Sequence, residues 1–371
     1  MLSVLKNRTT DELVDHFFAS KKRACVAATD DATSTYSDMA PLLASNENNS
    51  YMKGVVNEGD SVLAVAGAFD HLADMILLGA KNIMAVDVNE LQFPVCWLKY
   101  IGFCFFSSCE DYTDFMLNPT SDKVLDVGIM RELLDFAPDS DMKEFWRKIY
   151  KLRIPRELRE RYLYGEKKFL NLNETREMHY QYLLQNNFYK VKENISSARI
   201  YLQTSNIFAI DFCESFDVIH LSNIHNFMSD SFLNARLVEL HSRIKTGARV
   251  IIYCIGFKKE WFSSIKDGEL VLSSDDLDLR MMDEDVFFSI QKQIFSTIKL
   301  YQNMLKLFSK VEIIEVQTGK GLPMYSTGTD CVMILTKWLG RRQGETPAVV
   351  FFKALNYWQH TSGGCILFMY F

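Results

Sequence analysis

Residues Ser61–Gln92 read SVLAVAGAFDHLADMILLGAKNIMAVDVNELQ, and this stretch decides the fold. VLAVAGA is a short continuous apolar run, the pattern of a strand buried on both faces of a parallel sheet. HLADMILLGA then shows helical spacing at Leu72, Met75 and Ile76, with Gly79 placed to end the helix. NIMAVDVN is a second buried strand. Strand, helix and strand make a right-handed βαβ crossover. Where a G-x-G-x-x-G fingerprint would supply several glycines, the first turn offers only Gly67.

Working outward, residues from Thr10 to about Lys53 read as helical and then loop-like. After Phe106 the strand pattern stops for about ninety residues. That stretch is polar, aromatic and helical in propensity. Strands resume with ARIYLQTSNIF, SFDVIHLSNI and RVIIYCIGF. A helix carrying Leu233, Leu237, Leu240 and Ile244 on one face joins the last two, with Gly247 at its C-terminal cap. A longer helix follows, with Phe287, Ile290, Ile294, Ile298, Tyr301, Leu305 and Phe308 three or four apart. VEIIEV and CVMILTKW close the pattern across a loop too short for a crossover, so they pair antiparallel. The expected fold is a class I methyltransferase-like, doubly wound α/β sheet with an antiparallel last strand. A nicotinamide-binding domain would continue with parallel strands. The expected division is an N-terminal segment 1–53, two halves of the α/β unit at 54–103 and 199–338, a helical insertion 104–198, and a tail 339–371.

Composition sets limits. The 371 residues carry a net charge of −6, which argues against a nucleic-acid partner. The eight cysteines form no C-x-x-C pair, and the seven histidines supply no zinc spacing, so no metal is expected. The N-terminus has no long apolar core and does not read as a signal peptide; the expected location is cytoplasmic.

In such sheets a ligand lies outside the carboxyl ends of the strands. Four strand ends should converge there. The first carries Gly67 and Asp70, and the second Asp87, Val88 and Asn89. The third carries Asn206 and Ile207, flanking an adenine, and the fourth Ser222, Asn223 and His225. Asp87 suits a ribose, whose hydroxyls a carboxylate accepts, and equally suits a helix N-cap. Asp70 reads either as a seat for a substrate ammonium or as a first-turn cap. One glycine suffices if the ligand has no pyrophosphate, and this points to S-adenosylmethionine. His225 is the candidate general base for a hydroxyl acceptor, against a simpler reading as a helix-start histidine bonded to backbone. His220 reads as a core histidine.

The block AVD-x-N-x-x-Q (Asp87, Asn89, Gln92), the strand end SFDVIHLSNIHNFMS and the NNFY before ARIYL resemble the betaine-lipid synthase-like group of S-adenosylmethionine-dependent 3-amino-3-carboxypropyl transferases. The likeness spans roughly Ser61 to Ser229. It implies transfer of the aminocarboxypropyl group rather than methyl, and leaves the acceptor, lipid or small molecule, open. The chain departs from that pattern at Phe69, where a glycine is usual, and at Glu90, where a proline is usual.

Three stretches carry readings of their own. Arg147–Arg161 has seven basic residues against two acids, and suits either an anionic membrane surface or a solvated helix face. Asp275–Asp285, with six acids, reads as a solvated loop. The tail AVVFFKALNYWQHTSGGCILFMYF is interrupted too often for a membrane span; a bilayer surface, a partner subunit or the core could each cover it. Oligomeric state is not legible.

Overall fold

The structure is a computed structural model in which residues 2–20, 37, 39, 41–42, 45, 47–118, 121–151, 180–226, 228–263, 265–266, 269–270, 284–317 and 329–337 are described. The expected crossover forms as β2 (Ser61–Val65), α2 (Asp70–Leu77) and β3 (Asn82–Asp87). Gly79, at φ +91°, closes α2: its amide donates to Ile76, and the next amide, Ala80, reaches back to Met75. That double bond is the Schellman stop, which needs a left-handed residue.

Strands β4 (Arg199–Thr204), β5 (Val218–His220) and β6 (Arg249–Cys254) extend the sheet in parallel, and β7 (Lys310–Gln317) and β8 (Thr329–Thr336) close it. A further strand, β1 (Leu2–Leu5), pairs in parallel with β4. The eight-stranded order is β1-β4-β3-β2-β5-β6-β8-β7, with β8 antiparallel to both neighbours. This is the class I methyltransferase-like arrangement, with one strand added at the edge. The order reverses between β2 and β5, which places the crevice for a ligand at their carboxyl ends.

Period-two alternation divides the core. Val62, Ala64, Ile83 and Ala85 face one layer, and Leu63 and Val86 face the other. The first layer holds α1 (Thr10–Ala19), α3 (Gln92–Phe105), α4 (Cys109–Met116), α5 (Val127–Phe136), α6 (Asp141–Lys151) and α7 (Gln185–Ile195). The second holds α8 (Asp230–Arg243) and α9 (Glu284–Leu307). Tyr112, Phe115, Leu133 and Trp146 of the insertion are buried in the same cluster as the sheet residues Val62 and Ile83.

Two expectations are corrected. The first residues are not merely helix and loop: LSVL is a strand, and buried Glu90 helps to fasten the chain after it. Glu90 accepts the amide of Asn7, the Arg8 guanidinium at 3.0 Å and the Thr204 hydroxyl at 2.8 Å. A carboxylate is needed there, where a proline would offer none of these bonds. Gly247 is not the cap of α8, whose C-cap is Ile244; it lies in the turn into β6 at φ +84°.

Cys96, Cys109, Cys213, Cys254 and Cys331 are buried, and none of the described cysteines is bridged. The basic stretch enters α6 as far as Lys151. Its remainder, residues 275–283 of the acidic region and the tail lie outside the described residues. Among the described residues no helix is long and apolar enough to cross a membrane, and no cluster suits a metal ion.

Candidate functional site

The turn after β2 is tight because its residues leave no alternative. Gly67 sits at φ +49°, and a Cβ there would meet His71 Cε1 at 2.6 Å. That ring cannot easily retreat: its Nε2 donates to the Val65 carbonyl, and it stacks on His220 at 4.8 Å between centroids. Gly67→Ala is therefore expected to cost about 1–3 kcal/mol of stability, read by denaturant unfolding. Phe69 and Ser222, at φ 73° and 57°, hold left-handed conformations that non-glycine residues rarely adopt. They follow β2 and β5, the two strands that flank the switch point. Backbone strain of this kind gathers at functional sites. The Phe69 ring turns away into the helical layer, where it packs near Phe103 at 6.4 Å.

Asp87 ends β3 half-buried, and its Oδ1 accepts the Asn89 amide at 2.9 Å. The Cys96 thiol on α3 lies 3.6 Å from the Gly67 carbonyl, and Asp87 is among the charges that, after burial, raise the thiol's pKa. One side chain therefore senses both the turn of β2 and the carboxylate of β3. Val88 is half-buried beside them.

Asn89 and Gln92 serve another purpose. Asn89 donates to the Met39 carbonyl at 2.8 Å, and the Gln92 amide brackets the backbone of Leu42 with bonds of 2.8 and 2.7 Å. They begin a strap, within residues 39–52, along the carboxyl edge of the sheet. Ser45 donates to Asp70 and accepts from Tyr180; Asn48 donates its amide to the Tyr253 hydroxyl at 2.8 Å and its side chain to Gln317.

Asp70 is not available as a seat for a substrate ammonium, because the protein supplies the cation. Its carboxylate is 0% exposed, pairs with Lys99 Nζ at 2.7 Å and accepts the Tyr182 hydroxyl at 2.5 Å. Asn206 caps a short 3-10 turn by accepting the Phe208 amide at 3.0 Å, and Ile207 behind it is buried.

At the end of β5, Ser222 donates its hydroxyl, and Asn223 its amide at 3.2 Å, to one oxygen of Glu47 in the strap. Sequence reading missed Glu47. It sits in the polar run SNENNS, which has no periodicity and reads as a solvated loop, yet it is 2% exposed. Tyr51, also of the strap, shares a 2.7 Å hydrogen bond with His220 Nε2. His220 is a core histidine as expected. His225 is 9% exposed, lies edge-on to Phe257, and neither ring nitrogen has a hydrogen-bond partner. Burial pulls its pKa to about 4, so the ring is neutral near pH 7.

No family model and no curated protein sequence matches the chain. Solved structures resemble it at low identity. One is a SAM-dependent methyltransferase from Methanosarcina mazei, 10% identical, covering 79% of this chain and 100% of its own, with a TM-score of 0.34. Another is magnesium protoporphyrin IX methyltransferase from Synechocystis PCC 6803 with bound SAH, 8% identical, 77% of each chain covered, TM-score 0.31. A third, from Bordetella parapertussis and described as a possible exported protein, is 10% identical; 78% of this chain spans 65% of that one, with a TM-score of 0.31.

The buried acids give the protein a pH signature. Desolvation raises Glu47 to about 7, Asp74 to about 8 and Asp330 to about 6. Each holds a proton in the native state that the unfolded chain has already released. Their contribution is complete below the unfolded carboxylate range and is lost as pH climbs through the folded values. His225, lowered instead, contributes above the unfolded histidine value of 6.5 and loses that contribution as pH falls towards about 4. The opposing slopes offset one another below pH 6.5. Above it only the acids act, so thermal stability should fall between pH 6.5 and 8, and Asp74→Asn should flatten that fall. Melting temperature against pH checks it.

Proposed function

We propose that the chain is an S-adenosylmethionine-dependent transferase that moves the 3-amino-3-carboxypropyl group to a lipid or small-molecule acceptor. The observation that carries this reading is the Gly67 turn beside the Asp87 carboxylate at the switch point of the sheet, with Cys96 touching the first and sensing the second. The unpartnered polar atoms of Glu47 and His225, at the end of β5 and just after it, fit a ligand with polar groups. The preference for aminocarboxypropyl over methyl transfer rests on the resemblance of the D-x-N-x-x-Q block and the S-N-I strand end.

When bound, the sulfonium compound supplies an activated carbon electrophile, so the chain's own work is alignment and exclusion of water. Asp87 accepts the ribose hydroxyls at the end of β3. Gly67 and Val88 let backbone and ligand approach, and Asn206 and Ile207 flank the adenine. His225 at about 4 is a weak base, so its role is to accept a hydrogen bond from an acceptor hydroxyl and orient it. His225→Gln should therefore lower kcat about 3–10-fold, with S-adenosylhomocysteine affinity within about twofold of the parent. Single-turnover kinetics beside calorimetry separates the two quantities.

Mass spectrometry after incubation with S-adenosylmethionine and acceptor pools tests the reaction. 5′-Methylthioadenosine is the expected product. S-Adenosylhomocysteine would make the chain a methyltransferase, and tight binding with neither product would make it a non-catalytic binding module.

A further inference from the structure

Glu47 is a buried carboxylate without a countercharge. Its Oε1 takes the Ser222 hydroxyl and the Asn223 amide, while its Oε2 has no hydrogen-bond partner. Among the described residues no lysine or arginine pairs with it. Lys99 is taken by Asp70, and Arg249 by Asp60 at 2.8 Å. His220 Nε2 lies 3.8 Å from Oε2 and is already bonded to Tyr51. A buried, unpaired charge is expensive, and proteins keep one where a ligand completes it.

Position narrows that ligand. The Gly67 turn abuts His71, His71 stacks on His220, and His220 abuts Glu47, so the open oxygen lies two rings from the turn. A ligand that spans from Asp87 past Gly67 towards Ser222 would bring its far end to this carboxylate. If the ligand is the adenosyl amino acid of the preceding reading, on which this inference rests, that end carries an α-ammonium.

We propose that Glu47 Oε2 is the seat of the ligand's α-ammonium group, the strap supplying the cation site that Asp70 does not. The groups facing Glu47 agree with this assignment. His220 is held neutral by burial, its pKa well below the ordinary value, and Tyr51 and Tyr253 are held protonated. Asp330, whose charge disfavours ionised Glu47, bonds to Tyr253 and to the Gly256 amide. Among the described residues the groups that face Glu47 are neutral or acidic, and a cation from outside would balance its ionised form. Near pH 7 Glu47 is partly protonated, so a bound ammonium draws it to the ionised form and expels a proton.

Calorimetry of the full chain with S-adenosylhomocysteine, in buffers of different ionisation heat, reads that proton directly. The expected result is net proton release near pH 7, and affinity that rises roughly tenfold from pH 5.5 to 7.5. Glu47→Gln keeps an oxygen acceptor for Ser222 and Asn223. It should abolish the release and leave affinity flat with pH. 5′-Methylthioadenosine, which shares the nucleoside and lacks the amino-acid arm, should bind both proteins alike with no proton released. Binding of S-adenosylhomocysteine by the parent without proton release overturns the assignment even if the variant does not fold. Equal pH dependence in parent and variant overturns it too. If 5′-methylthioadenosine binds and depends on Asp87 while Glu47 proves indifferent, the ammonium seat falls and the nucleoside site stands. If neither compound binds, both readings fall.

Discussion

Lys99→Met is expected to destabilise the fold by about 3–5 kcal/mol, the cost of leaving a buried carboxylate without its cation. The pair lies at the junction of α2, α3 and the strap. Lys99 is 2% exposed and Asp70 is 0% exposed, with 2.7 Å between Nζ and Oδ1. Methionine keeps the aliphatic stem, so lost packing is a minor part of the effect. Around Asp70 the Tyr182 hydroxyl and the Ser45 amide remain as donors, and neither carries a charge. Adding Asp70→Asn to Lys99→Met removes the orphaned charge: the amide oxygen accepts the Ser45 amide, and the amide NH2 donates to the Tyr182 hydroxyl in place of accepting from it. The double variant should therefore regain at least half of the loss. Urea unfolding of the two singles and the double, treated as a cycle, checks this. Additive losses would mean that Lys99 acts through packing alone.

Asp87→Ala has the largest expected effect on ligand binding, a loss of about 100-fold or more in affinity for S-adenosylhomocysteine. Two hydrogen bonds from ribose hydroxyls to one carboxylate contribute roughly 1.5–3 kcal/mol each, and each 1.4 kcal/mol is a factor of ten. Little stability should be lost, because the side chain is half-buried and its bond to the Asn89 amide is a local one. Calorimetry gives the affinity and thermal melting gives the control. An affinity within threefold of the parent would remove the carboxylate from the site.

Much of the fold was legible because it is written in local pattern. VLAVAGA and NIMAVDVN are buried on both faces, so their apolar runs are unbroken, and Gly79 marks the stop of α2 by its φ of +91°. The antiparallel close followed from loop length alone. LSVL is too short to declare itself, and becomes a strand only because β4 offers an edge. Gly247 misled because one glycine can serve either a helix end or the turn beyond it.

Half of the candidate site's placement was legible. Gly67, Asp87, Ser222 and Asn223 lie at or just after strand ends, as their place behind each apolar run implies. Asp70 was misread because its cation comes from Lys99, 29 positions along the chain. Glu47 and Tyr51 went unseen because a polar run with no period looks solvated. Their burial comes from Ser222, His220 and Tyr253, more than 150 residues away. Asn89 and Gln92, quoted as part of a ligand motif, fasten the strap instead.

The most direct test is a crystal structure of the chain grown with S-adenosylhomocysteine. The expected result is a nucleoside along the carboxyl edge between Gly67 and Ser222, its ribose hydroxyls within hydrogen-bonding distance of the Asp87 carboxylate. A nucleoside bound elsewhere, or Asp87 facing away from it, would contradict the placement of the site.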